Sequence, residues 1–413
     1  MSFKESLQRR EFLKRGSALA AVLSTASAAA QYNGDPGEPN PHTQPAPNRR
    51  DIIIYRDPFA YCSHASIVRL ANGEWVTAFN ECQKIKPYTH PPGDPHFHNL
   101  VSRSDDEGRT WSPPEAAPNW DWYGVECPGL AQLQDGTVVL NQWQFLWYPL
   151  AQGRKLASQG EKIWLRTSRK QGWLPAASDS DFDRSLYPWA RANSGCYVHL
   201  SSDGGRTWDR TVRIPTEPYI GGYTPRGVAQ LQDGTVLMVT ADHPLNHTAY
   251  AVRSRDGGLT WTPPVAVANA GDGMLSEPTA AVLPSGKVVA MMRSHTRYLH
   301  QSESSDGGST WTPVRKTPIF GYPGHLLRLA DGRLLVTYGH RRSPFGIRAC
   351  QSRDNGQSWD YGQEYLIRGD FPNRNLGYPV TIEYRPGHLF TVYYGEEPDG
   401  VTSIQGSYWE IPS

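Results

Sequence analysis

Charge of one sign is what this sequence has least of. Lys and Arg number 41 against 40 Asp and Glu, a formal net charge of +1, and no long run of either sign occurs. That balance argues against nucleic acid or an anionic membrane surface as the main partner. Cysteine is scarce too: five residues, an odd number that leaves at least one thiol free, with no C-x-x-C spacing to suggest zinc. Cys62 and Cys82 could bridge in an oxidising compartment, or all five could be buried free thiols; both alternatives stand. Hydrophobic residues make up only 38% of the 413, which points away from long buried helices. What is abundant is 39 Gly, 34 Pro, 21 Tyr and 14 Trp, the composition of a chain that buries its core in many short strands.

The first thirty residues stand apart. Arg9-Arg10-Glu11-Phe12-Leu13-Lys14 precedes a weakly apolar run, "GSALAAVLSTASAAA", and small residues at Ala26-Ser27-Ala28 or Ala28-Ala29-Ala30 suit a signal peptidase. The paired arginines resemble a twin-arginine export signal. The division expected is therefore 1–30 export signal, 31–50 Pro-rich linker and 51–413 one domain. The product would be periplasmic or secreted, with no membrane span once the signal is removed.

The domain repeats itself. "SDDEGRTW", "SSDGGRTW", "SRDGGLTW", "SSDGGSTW" and "SRDNGQSW" end at Trp111, Trp208, Trp261, Trp311 and Trp359. The last three gaps are 53, 50 and 48 residues and the first is 97, close to two periods. In each octet Asp and Ser side chains bond turn backbone, Gly adopts a conformation other residues resist, and Trp packs between units. A strand–Gly turn–strand pattern runs in phase: "SIVRLANGEWVTAF", "LAQLQDGTVVLNQW", "VAQLQDGTVLMVTA", "AAVLPSGKVVAMMR", "LLRLADGRLLVTYG" and "VTIEYRPGHLFTVYY". Asn-Gly and Asp-Gly between alternating strands are hairpin turns. Six hairpins at a period near fifty predict an all-β, six-bladed propeller of four-stranded antiparallel blades. The long gap is an insertion over roughly Pro149 to Asn193, and "DIIIYR" (Asp51 to Arg56) would add the outer strand that closes the ring.

The octet resembles the Asp box of sialidases, and six blades is the sialidase architecture. The resemblance covers essentially everything after the linker. It implies the fold strongly and the function weakly, since lyases, other hydrolases and binding propellers carry the box as well.

In a propeller the first strand of each blade lines the channel and its start faces one mouth. Those starts hold His64, Glu126, Arg226, Glu277, His325 and Tyr378, six polar side chains converging on one concavity. What the sialidase resemblance implies can be placed on them. Sialic acid bears a carboxylate at the reacting carbon, so the family uses a tyrosine nucleophile activated by a glutamate, an aspartic general acid/base, and arginines on the carboxylate. "SEPTAAVLPSGKVVAMMR" maps Glu277 to the activating base and Arg293 to a carboxylate-binding arginine. "LLVTYGHRRSPFGIR" offers Arg342 or Arg341 for another. "LGYPVTIEY" maps the nucleophile to Tyr378. "VTAFNE" resembles the family's A-F-x-E, ending at Glu81, and the loop after it offers Asp94 as acid/base.

One part departs from the family. "YRDP" (Tyr55 to Pro58) looks like the stretch carrying the first arginine but lies too far from "VTAFNE". The family spacing falls on His64, so either Arg56 folds inward or a histidine has replaced the arginine, and replacement is the preferred reading. Near neutral pH a histidine is uncharged half the time or more, which leaves room for a uronic acid, another acidic sugar or a neutral sugar. His90, Asp94, His96 and His98 fit a loop over the mouth, with His96 and Asp94, or else His98, on the substrate side, better than a metal site. Trp143, Trp147, Tyr148 and Trp189 could stack on sugar faces or fill core.

Three functions are weighed on these residues: a retaining exo-glycosidase of sialidase type, a polysaccharide lyase using His64, His325 and Tyr378 on a uronate, and a non-catalytic glycan-binding propeller. The partner expected is a carbohydrate, a sialoside or other acidic glycan. No catalytic metal or cofactor is expected, and the sequence is silent on a structural calcium.

Overall fold

The computed structural model describes residues 40–84, 95, 97–119, 123–168, 173–243, 245–268 and 274–412. The export signal read at 1–30 and residues 31–39 of the linker lie outside the described residues. Among the described residues two compact units are distinguished, one within 148–192 and the other comprising 40–147 with 193–412.

The larger unit is an all-β propeller of antiparallel blades, built from six sheets. The first blade runs Ala60–Arg69, Trp75–Gln83, His98–Ser104, Glu115–Ala116 from inside to out. The second uses Tyr123–Gln132, Val138–Pro149, Trp189–Ser201 and Arg210–Arg213. The third has an inner strand of only two residues, Ala229–Gln230, before Val236–Ala241, Ala249–Ser254 and Val265–Ala268. The fourth is Leu275–Val282, Val288–Ser294, Tyr298–Ser304, Arg315–Phe320; the fifth is Gly324–Arg328, Leu334–His340, Gly346–Ser352, Tyr365–Arg368. The sixth joins Leu376–Arg385, His388–Glu396 and Thr402–Glu410 to Arg50–Arg56 from the other end of the chain, the closure expected from the sequence. Gln44–Pro45, within the stretch read as linker, adds a parallel fifth strand beside Tyr365–Arg368.

The turns follow from the residues read as turn formers. Gly73, Gly136, Gly234, Gly286, Gly332 and Gly387 all adopt positive φ, and Asp135, Asp233 and Asp331 accept backbone N–H bonds two residues on, at 2.9, 2.9 and 3.0 Å. The Asp boxes form one repeated knot. In the fourth blade Ser304 Oγ accepts from Gly308 N at 2.8 Å, Asp306 accepts from Thr310 N at 2.8 Å, and Trp311 Nε1 donates to Gly308 O at 3.2 Å.

Between consecutive blades the core is mainly aliphatic; Leu237, Val239 and Ala249 of the third blade meet Val288, Ala290 and Met292 of the fourth. At the closing interface it is aromatic. Trp75 is fully buried against Tyr384 and Phe390, ring centroids 5.4 and 5.0 Å away. Burying one such side chain is worth roughly 1.5–3 kcal/mol or more. All five cysteines are buried thiols outside any disulfide, so Cys62 and Cys82 do not bridge.

The smaller unit begins within a residue of the insertion read from the repeat. A helix, Leu150–Ser158, a strand pair Trp164–Leu165 and Leu174–Pro175, and a short helix Ser180–Asp183 enclose Ile163, Leu165, Phe182 and Ala190. Among the described residues no helix is long and apolar enough to cross a membrane.

Candidate active site

Four inner strands carry the same local defect near their start. Their registers shift between Ser63 and Ser66, Glu126 and Gly129, Ser276 and Thr279, and Gly377 and Val380. Within each bulge one non-glycine residue takes a left-handed backbone: His64 (φ 53°), Cys127 (53°), Glu277 (48°) and Tyr378 (54°). Pro128, Pro278 and Pro379 follow three of them, where a missing N–H costs nothing because the ladder is already broken. A left-handed conformation costs an L-residue roughly 1–2 kcal/mol. Four in equivalent places mean that the fold holds these side chains out of the strand's ordinary alternation and aims them at one point.

At that point Tyr378 meets Glu277. Both are buried, and the phenol donates to Glu277 Oε1. Arg293 Nη1 donates to both Glu277 oxygens, at 2.9 and 3.0 Å. Burial pushes the Glu277 carboxyl up, but Arg293, the Tyr378 hydrogen bond and Arg341 outweigh it and hold the pKa below the usual carboxylate value. The Tyr378 phenol is driven well above its usual value by burial, then by Glu277 and Cys127, against the lowering pull of Arg293 and Arg341. The resting pair is thus phenol and carboxylate, a hydroxyl that keeps its proton and is hydrogen-bonded to an acceptor able to take it.

Of the two candidate arginines in the fifth blade, Arg341 lies at this pair. Its guanidinium carbon is 5.5 Å from the Tyr378 ring centroid, with Nε on Leu376 O at 2.7 Å and Nη2 on Tyr394 OH at 3.2 Å. Gly377 (φ 129°) makes room for it, since a Cβ there would sit 3.1 Å from Arg341 Nη2. Arg342 turns away, with Nε on His340 Nε2 at 3.1 Å and its guanidinium over Phe320 at 4.1 Å.

Arg226 is buried beneath the pair, its guanidinium 6.0 Å from the Tyr378 ring centroid and Nε on Gly324 O at 2.9 Å. Burial, against the pull of Glu277 and Tyr378, lowers it to about 10, so it stays charged near neutrality. His325 accepts from Thr381 N at 3.3 Å and is pushed down to about 3 by burial and by Arg226. His64 packs edge-on to Tyr378, ring centroids 4.2 Å apart, with Nε2 3.6 Å from Glu126 Oε1. Arg226, Arg293 and Arg341 against Glu126 and Glu277 leave the site with an excess of positive charge.

Other residues named from the sequence lie elsewhere. Glu81 accepts from Tyr55 OH at 2.7 Å and stands 3.7 Å from His98 Nε2. Arg56 is on the outer strand of the sixth blade paired with Asp399, so it does not fold inward. Asp94, His90 and His96 lie outside the described residues. Trp143 and Trp147 are core residues, Trp143 donating to Asn193 Oδ1 at 3.1 Å. In the smaller unit Tyr148 packs on the apolar cluster and Trp189 stacks on Tyr187.

Two neighbours of Tyr378 were missed by the sequence reading. Tyr223 OH is 3.4 Å from Tyr378 OH and 2.8 Å from Cys127 Sγ. Cys127 had a signal: His64, Cys127, Glu277 and Tyr378 each stand nine residues before the hairpin glycines Gly73, Gly136, Gly286 and Gly387. In the third and fifth blades that position is Pro225 and Pro323, nine before Gly234 and Gly332; Arg226 comes from the bend before Ala229–Gln230 and His325 from within Gly324–Arg328. Tyr223 lies before the short inner strand of the third blade, bridged only to Ala241, and no repeat marks it.

Comparison with known proteins bears on the fold. The family of the BNR repeat-like domain matches over residues 182–391. No curated protein matches the sequence. Among solved structures, a protein of unknown function from Dyadobacter fermentans is 28% identical with TM-score 0.75, covering 89% of this chain and 100% of that one. The NanB sialidase of Streptococcus pneumoniae is similar at TM-score 0.63 and 14% identity, covering 87% and 70%. The leech intramolecular trans-sialidase complexed with 2,7-anhydro-Neu5Ac is similar at 0.61 and 13%, covering 89% and 70%. At such identities the sialidase likeness is one of fold.

Proposed function

The chain belongs to the BNR repeat-like domain family, and from that premise we propose that it is a sialidase-type retaining glycoside hydrolase, exported by the twin-arginine route, that releases a terminal acidic sugar. The observation that carries this reading is the Tyr378–Glu277–Arg293 chain of hydrogen bonds at the channel mouth. Tyr378 attacks the anomeric carbon while Glu277 takes its proton. At rest that transfer is uphill, because Glu277 is held acidic and Tyr378 basic. It becomes favourable as the oxocarbenium-like centre gains positive charge opposite the phenol oxygen. Arg341 and the excess positive charge favour an anionic sugar. Asp94, on the resemblance alone, protonates the leaving oxygen and then activates water.

The lyase alternative needs a basic histidine. His325 near pKa 3 is a poor base at neutral pH, and Tyr378 is hydrogen-bonded to a carboxylate. The test pairs two assays on the wild-type protein: turnover of an aryl sialoside, and appearance of the ultraviolet-absorbing unsaturated uronate from acidic polysaccharides. Aryl release without unsaturated product supports the hydrolase; unsaturated product without aryl release replaces it with the lyase.

A further inference from the structure

The mechanism above uses Tyr378 and Glu277 but leaves two of the four bulge residues, His64 and Cys127, without a task. They face each other from adjoining blades together with Glu126. One imidazole nitrogen, one carboxylate oxygen and the thiol sulfur lie within 4.8 Å of one another, and all three residues are buried. His64 Nε2 and Glu126 Oε1 are 3.6 Å apart. An ion in tetrahedral geometry with bonds of ~2.0–2.3 Å spaces its ligand atoms roughly 3.3–3.8 Å apart. That pair therefore already has the spacing, and no other pair has to close by more than roughly 1–1.5 Å.

The histidine is held as metal-binding histidines are held. Its Nδ1 lies 2.8 Å from Ser63 Oγ. With the proton on Nδ1 and donated to that hydroxyl, Nε2 turns its lone pair toward Glu126 and Cys127. Both left-handed bulges fix the side-chain directions in advance. An N, O, S donor set excludes calcium and magnesium, which take oxygen ligands, and selects a borderline-soft divalent ion such as zinc.

We propose that His64, Glu126 and Cys127 bind one zinc-type divalent ion at the channel mouth beside Tyr378. Binding replaces the Cys127 thiol proton, which leaves to solvent, and forms a sulfur–metal bond. Three protein ligands leave a fourth position for water or a substrate oxygen. The ion restores a positive charge to the first-blade position, where the sialidase resemblance calls for arginine and the chain has His64. That last role rests on the glycosidase reading; binding of the ion does not.

The test strips the mature protein with a chelator, dialyses it against Zn2+ or Co2+, desalts it and measures bound metal. One zinc per chain is expected, with a thiolate-to-cobalt charge-transfer band in the Co2+ form. Cys127→Ser should abolish the band and weaken binding at least tenfold. Ser63→Ala should weaken it by about 10–100-fold, with circular dichroism unchanged in both variants. No ion retained by folded wild type overturns the site. A band that persists in Cys127→Ser overturns it too, since another of the five thiols would be the ligand. Zinc retained but aryl-sialoside turnover unchanged on its removal overturns the role in substrate binding. Absence of turnover with and without zinc counts against the glycosidase reading and leaves the metal site standing.

Discussion

The Asp boxes on the outer turns and the bulges on the inner strands are both repeats, and they repeat different things. Each Asp box repeats residues: Ser, Asp, Gly and Ser or Thr make the same bonds in the first blade as in the fourth, down to 2.8 Å from Ser Oγ to Asp Oδ1. The inner bulges repeat backbone geometry and change the residue, from His64 to Cys127 to Glu277 to Tyr378. A position that keeps its chemistry around the ring serves the ring. One that keeps its geometry and varies its chemistry places unlike groups around one point, which is what a reaction needs.

That contrast can be tested by breaking each side in turn. The largest effect is expected at Tyr378→Phe, which keeps the ring packing and removes the phenol oxygen. It should lower kcat on a turned-over sialoside by about a thousandfold or more, some 4 kcal/mol of transition-state stabilisation, with little change in thermal midpoint. Arg293→Met should cost about a hundredfold by uncovering Glu277. Because Arg293 holds the Glu277 pKa down, its loss should move the acid limb of kcat/KM to higher pH, read from the pH–rate profile.

The outer knot should behave in the opposite way. Ser304→Ala leaves the buried Gly308 N–H without its acceptor and should cost roughly 1–3 kcal/mol of stability by denaturant titration. Turnover per folded molecule should not change.

The smallest effect is one of pH. Asp106, Asp256 and Asp306 are drawn down to about 2 by hydrogen bonds, from Thr110 N and from the Thr260 and Thr310 hydroxyls first. Groups whose folded pKa is depressed stabilise above the unfolded value of ~3.9 and lose that contribution as pH falls toward 2. Thermal midpoints should decline over that window, and less steeply in Asp256→Asn/Asp306→Asn.

The legibility of the sequence divides along the same line. The Asp boxes, hairpin turns, insertion and closing strand could be read because each rests on local residue chemistry repeated at a fixed period. That Tyr378, Glu277 and Arg293 come together was legible through resemblance to sialidases. The choice of Arg341 over Arg342 was not, because both follow the same strand and only the packing of Phe320 and His340 separates them. Glu126 was read as the strand-start residue where the bulge presents Cys127, a one-residue displacement that alternation alone cannot resolve. Tyr223 comes from a segment with no repeat and could be found only in three dimensions.

The proposed catalysis rests on the inner bulge of the sixth blade. Its central claim is tested most directly by a fluorinated sialosyl fluoride, whose second fluorine slows breakdown of a covalent glycosyl-enzyme, followed by peptide mapping of the labelled protein. The account predicts one sugar per chain, attached at Tyr378. A protein that turns over the aryl sialoside yet carries its label elsewhere, or none at all, would contradict it.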